Sequence, residues 1–187
     1  MAEDVGAPST IRITVMLSFR GDVQVEIIDE LAHQSLPTYS SRNTLTLTYR
    51  TGWAAWLTGS ALNPPTAIGV GSGTASATNI SASSLQYELM RKTVGSEWGS
   101  NLDARFSAIF ATGELTNIPI NELGLFSSPW TTGWTWNGAN NMFGLERWGS
   151  ATPWSLFAIA PASITGKSPV QRMQITWRLS VWTASAL

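Results

Sequence analysis

The stretch "VQRMQITWRLSVW", from Val170 to Trp182, decides how this chain folds. Val170, Arg172, Gln174, Thr176, Arg178 and Ser180 oppose Met173, Ile175, Trp177, Leu179 and Val181. Successive side chains of a strand point to opposite faces, so this alternation predicts one buried face and one wet face. The same period of two recurs upstream. "IRITVMLSF" places Ile11, Ile13, Val15, Leu17 and Phe19 on one face, and "DARFSAIFAT" does so with Phe106, Ala108 and Phe110.

Other segments fill in the pattern. "RGD" at Arg20 to Asp22 reads as a turn, after which "VQVEII" returns as the second strand of a hairpin or meander. "ELAHQSLPTYSS" reads as a loop, Thr66 to Gly71 as a strand, and "LQYELMRKTV" as either a strand or a helical turn. "IPINELGLFSS" and "SLFAIAPASI" are further strands. Only one segment argues for a helix. Tyr49, Trp53, Trp56 and Leu57 sit at helical spacing, and Gly59 follows as a C-cap, which predicts a short helix from about Tyr49 to Leu57. About eight or nine short strands with Gly/Pro-rich turns predict an all-β, antiparallel β-sandwich of jelly-roll type. Residues 1–10 read as an N-terminal arm. Residues 11–187 read as a single domain, with a Trp-rich excursion at about 128–154.

Composition narrows the function classes. Charged residues are 12% of the chain, about half the roughly 25% of an ordinary soluble domain. Ser, Thr, Asn, Gly and backbone must cover the surface, or other subunits must. Eleven basic and twelve acidic residues give a net charge of −1. "MRK" at Met90 to Lys92 is the densest basic point, so no basic face for nucleic acid or an anionic membrane is expected. Cysteine is absent, which removes disulfides, zinc–thiolate sites and thiol nucleophiles. The acidic, polar "MAEDVGAPST" is unlike a secretory signal, and no apolar run reaches membrane-spanning length, so synthesis in the cytoplasm is expected.

No motif for catalysis, a cofactor or a metal stands out. "GVGSG" at Gly69 to Gly73 lacks the helical segment a phosphate loop needs and reads as a strand-end turn. His33, the single histidine, lies near Asp29, Glu30 and Ser35 in a polar loop, where a solvated side chain is the simpler reading. The remaining carboxylates are scattered, with no signal for the facing pair of a glycosidase. Asn79 begins a sequon that matters only on a eukaryotic secretory route.

The aromatic stretch "WTTGWTWNGANNMFGLERWGS" holds Trp130, Trp134, Trp136 and Trp148, and Trp154 follows it. These rings would stack on sugar, with Asn137, Asn140 and Asn141 as hydrogen-bonding partners, or anchor a neighbouring subunit, or fold onto the chain's own core. Trp98, Trp177 and Trp182 occupy strand-like positions elsewhere, so Trp serves here as packing material. Packing on protein ranks above glycan binding.

The order of elements resembles a group of small tailed-bacteriophage structural proteins. A helix ending in Gly leads to a strand of the form P-T-x-I-x-V-G-x-G-T, here Pro65 to Thr74. Glu88 and Arg91 follow, then an E-x-G-L-F strand at Glu122 to Phe126, then a closing strand from Lys167 to Trp177. The resemblance spans roughly Asn43 to Trp182. It implies a virion component at a tail, collar, fibre-attachment or head-surface position, without enzymatic activity or cofactor, that contacts copies of itself and other virion proteins as a homo-oligomer. The Trp-rich stretch after Ser128 departs from the pattern, which has a short hairpin there.

Overall fold

The computed structural model describes residues 17–36, 39–59, 64–74, 79–98, 103–127 and 155–183. The long strand β11 (Gln171–Thr183) holds one sheet together by pairing antiparallel with β1 (Leu17–Asp29) on one side and β8 (Asp103–Phe110) on the other. Met173, Ile175 and Trp177 are fully buried, while Gln174, Thr176 and Arg178 lie between them on the opposite face. Val23 and Val25 of β1, and Phe106, Ala108 and Phe110 of β8, complete the inward surface. The period of two in the sequence is therefore the period of burial.

This first sheet is finished at one edge by β7 (Gly95–Trp98) and at the other by β2 (Gln34–Ser35) and β3 (Tyr39–Arg42), which pair with β1. The second sheet has the order β4 (Thr44–Leu45), β10 (Ser155–Ile164), β9 (Ile120–Ser127), β5 (Pro65–Gly71), β6 (Glu88–Thr93). All strand pairings in both sheets are antiparallel. Ile68, Val70, Leu123, Leu125, Ala158 and Ala160 face the first sheet and close the core. The chain changes sheets after β3, β6, β8 and β10, so the two layers are wound together as an all-β sandwich.

The single helix among the described residues, α1 (Leu47–Leu57), begins two residues before the predicted start. Thr46 explains the early start. Its Oγ1 accepts from the amide of Tyr49 at 3.3 Å, the geometry of an N-cap, while the same hydroxyl donates to the Leu156 carbonyl at 2.6 Å. The cap thus also fastens the helix to β10. Gly59 ends the segment at φ +92°, as a left-handed C-terminal residue should. Among the described residues no helix is long and apolar enough to cross a membrane.

Two further sequence expectations change, beside the early helix start. "RGD" is not a turn: β1 runs straight through it, with Gly21 paired to Leu179 and Asp22 to Arg178. The uninterrupted alternation of β11 offers a continuous ladder to pair with, and that outweighs the local turn preference of Gly and Asp. The supposed loop "ELAHQSLPTYSS" contains β2 and β3, which form because β1 presents an open edge there. Tyr39 ties that edge to the other sheet by donating its hydroxyl proton to the Pro161 carbonyl at 3.0 Å.

Trp177 fills the centre of the core, yet its indole Nε1–H finds no acceptor among the described residues. An unmet buried donor carries a desolvation penalty of about 1–3 kcal/mol. Trp177→Phe removes that donor with most of the ring retained, so chemical denaturation should place it within about 1 kcal/mol of wild type. Trp177→Ala should lose about 3–5 kcal/mol. Equal losses for the two variants would show that the indole N–H is satisfied in solution.

Candidate functional site

Strands β5 and β9 are buried on both faces, which is why "ELGLF" reads as an apolar run and not as an alternation. Their inward residues join the main core. Their outward residues meet a second cluster of Ala67, Leu85, Phe126, Leu156 and Ile159, with Leu85 and Ala82 supplied by the connection that leads into β6. Glu88, Arg91, Glu122, Gly124 and Phe126 gather on this outer face.

Gly69 and Gly124 stand opposite each other in the β5–β9 ladder. A Cβ on either would fall 2.7 Å from Cε2 of Phe126. The paired glycines therefore make a slot for the ring. Arg91 covers the ring with its guanidinium 3.6 Å from the centroid, a cation–π contact. Arg91 is itself held by Glu88 through Nε and Nη2, at 2.7 and 2.6 Å. Residues three apart on a strand ordinarily point to opposite faces. The register slips between Val70 and Gly71, leaving Leu89 as an extra residue, and this bulge brings Glu88 and Arg91 to one side.

Glu122 sits next in the same row, fully buried. Its Oε1 accepts from the amides of Tyr87 at 2.6 Å and Gly73 at 3.2 Å, and its Oε2 accepts from the amide of Gln86 at 2.9 Å. Cβ atoms on Gly71 or Gly73 would collide with this carboxylate at 2.5 and 2.6 Å. The glycines of "GVGSG" are thus explained: Gly69 and Gly71 lie within β5, Gly73 just beyond its end, and all three make room for side chains crossing the strand. The Gly73 amide faces an anion, and the anion is the protein's own.

At the end of the sandwich, Lys167 is almost completely buried and donates to the carbonyls of Ala111 at 2.8 Å and Gln171 at 2.7 Å. Burial pushes its amine below the usual lysine range. Gly166 beside it adopts φ +57° against the backbone of Asn117 and Ile118. Glu88, Arg91, Glu122, Phe126 and Lys167 are all committed to internal partners. The arrangement locks loops onto sheets.

The other candidates do not converge. His33 is exposed at the tip of a turn, with φ +51°, and the Ser35 hydroxyl donates to Glu26 at 2.6 Å. Asp29 takes the amides of Ala32 and Leu31, which holds its carboxyl below the usual range. Among the described residues no three of His, Asp and Glu are placed to hold a metal. The proposed contact residues Trp130, Trp134, Trp136, Trp148 and Trp154, and the arm at 1–10, lie outside the described residues.

The wet face of the first sheet holds what sequence reading missed. Register aligns Arg42, Asp22, Arg178 and Arg105 across four strands. Asp103 accepts from Arg178 Nε at 2.8 Å. Hydrogen bonds from Ser180, then from Arg178, hold its carboxyl below the ordinary value of 3.8. Beside this row, Arg20, Gly21, Arg42 and Asn43 line a shallow cleft of about 180 Å³. Reading "RGD" as a turn and "ELAHQSLPTYSS" as a loop hid this juxtaposition, because strand pairing alone brings residues 20 and 42 together.

Replacing Glu122 by Ala leaves buried amides unmet and should cost more than about 3 kcal/mol. Gln retains one acceptor oxygen and should cost less, at about 1.5–3 kcal/mol. Gly69→Ala should lose about 1–3 kcal/mol by displacing Phe126. Urea midpoints for the three variants check the ranking, and a wild-type midpoint for Glu122→Ala would refute the lock. The depressed Asp103 carboxyl adds stability above 3.8 that disappears as pH falls through its lower folded value. Melting temperatures followed downward from about pH 5 should fall more steeply for wild type than for Asp103→Asn. Parallel curves would contradict this linkage.

No family model, curated protein or solved structure matches the chain.

Proposed function

We propose that the chain is a non-enzymatic structural subunit of a tailed-phage virion, of tail, collar, fibre-attachment or capsid-surface type, working through protein–protein contacts. The observation that carries this reading is the fate of the pattern residues. Glu88, Arg91, Glu122 to Phe126 and Lys167 form internal locks between loops and sheets, a use suited to a rigid building block. The rest of the design is compatible with assembly. Charged residues are only 12% of the chain. The outer strands β4, β6 and β7 have short ladders whose far sides pair with no other described strand, and such edges are available for backbone pairing with a neighbour.

In this reading the aromatic segment is the anchor to a second copy or to another virion protein, since buried Trp is enriched at such contacts. Trp134→Ala and Trp136→Ala should each weaken self-association or particle incorporation by at least about tenfold, as loss of an interface anchor does. Sedimentation of the purified chain and its co-purification with particles measure this. Normal assembly by both variants removes the aromatic segment from the interface, and sugar-dependent binding lost on either change would favour a lectin-like role instead.

A further inference from the structure

Strand β1 is covered unevenly. On one side β11 pairs with it from Asp29 back to Leu17 without a bulge. On the other side β2 takes Asp29 and Ile28, and β3 takes Val25 to Asp22. The Asn43 amide then donates to the Gly21 carbonyl at 3.0 Å, and the chain leaves for β4 in the second sheet. From Leu17 to Arg20 that side of β1 pairs with no described strand. Such a gap leaves backbone donors and acceptors that water or another strand must meet. The residues at the gap are patterned for burial. Ile11, Ile13, Val15, Leu17 and Phe19 have the same parity as Gly21, Val23 and Val25, which are buried. The core-facing row therefore continues in the sequence well past the point where β3 departs.

A strand that fills the gap must alternate with the same period and have a side to spare. β8 and β11, the other alternating strands of this sheet, each lie between two neighbours. The same stretch of β1 in a second copy meets both conditions. Register follows from the sequence. Directly opposed residues of an antiparallel pair share a face, and a slip of one residue would set the apolar row against the polar one. A centre on Met16 keeps the rows matched but opposes Arg12 to the partner's Arg20, a like-charge pair. A centre on Val15 opposes Ile11 to the partner's Phe19 and Ile13 to the partner's Leu17, with no like charges opposed. It also spans the whole alternating stretch and stops short of Gly21, whose carbonyl Asn43 already occupies.

We propose that two copies of this chain pair antiparallel through the stretch from Ile11 to Arg20, about a two-fold axis at Val15, and so join their first sheets. The proposal rests on the assembly reading above. A two-fold contact of this kind uses the same surface of both copies and closes on itself. Main-chain hydrogen bonds hold the added strand, and the alternating side chains select it.

The test uses the full-length chain. It has no cysteine, so a single introduced thiol forms a disulfide only between copies. Opposed Cα atoms of an antiparallel pair are about 4.5–5.5 Å apart, within the span a disulfide bridges. Pairing raises the effective concentration of the two thiols, so Val15→Cys should oxidise to a covalent dimer at least about tenfold faster than Ser40→Cys or Thr93→Cys, on the β3 and β6 edges. In sedimentation, Val15→Lys and Val15→Glu should each weaken self-association at least about tenfold, since the axis sets like charges together. Mixing the two should restore it. The cysteine variants cover the case in which a charged variant fails to fold. Faster cross-linking at Ser40→Cys or Thr93→Cys, or self-association unchanged in Val15→Lys, overturns the β1 pairing and leaves the assembly reading standing. A wild-type chain that is monomeric yet enters particles does the same, and one that is monomeric and excluded from particles overturns both. A melting temperature lowered by Val15→Lys at every protein concentration, with association unchanged, means that the stretch packs within its own copy, and that also overturns the pairing.

Discussion

A carboxylate with no access to water has to be met by hydrogen-bond donors, and at Glu122 the donors are the backbone amides of Gly73, Gln86 and Tyr87. This one contact makes the second sheet possible in the form it takes. Those amides belong to the two ends of the long connection between β5 and β6. Holding them against Glu122 lays the connection over the outer face, where Leu85 reaches Phe126 and Leu156. A sheet that would otherwise show apolar residues to solvent is thereby covered on both sides. The glycines at 69, 71, 73 and 124 follow from the same constraint, because each gives up a side chain where Glu122 or Phe126 needs the space.

The two sheets handle charge in opposite ways. On the second sheet, Arg91 and Glu88 are brought together under cover by a bulge and capped on an aromatic ring. Such a pair confers geometry more than net stability, since desolvation offsets much of its attraction. On the first sheet the charges stand in solvent along a register row, where a single pair contributes little. Among the described residues one face is locked by a loop of the chain and the other carries its charges at the surface. A shallow cleft lined by Arg20, Gly21, Arg42 and Asn43 lies at the margin of that face.

How legible all of this was depended on the range of the interaction. The inward rows of β8 and β11 could be read directly, since alternation is a local property and burial repeats it residue by residue. The helix was also readable, with Gly59 at its end, but Thr46 as its cap was not, because the role of that hydroxyl depends on β10, more than a hundred residues away in sequence. The turn assigned to "RGD" failed for the same kind of reason. Gly and Asp prefer turns by local conformation, and a thirteen-residue ladder with β11 overrode that preference.

Local pattern is enough to set the class: short alternating strands, one helix, a core of Val, Ile, Leu, Phe and Trp, and no residue set that announces chemistry. These features depend on side-chain period and composition, which need no knowledge of what lies opposite. What the polar residues do is settled by the packing of distant strands. Glu122 became a loop clamp and Lys167 a carbonyl-bound plug. Each of those roles is set by partners from distant strands, and a buried polar group is defined by the neighbours that satisfy it or fail to.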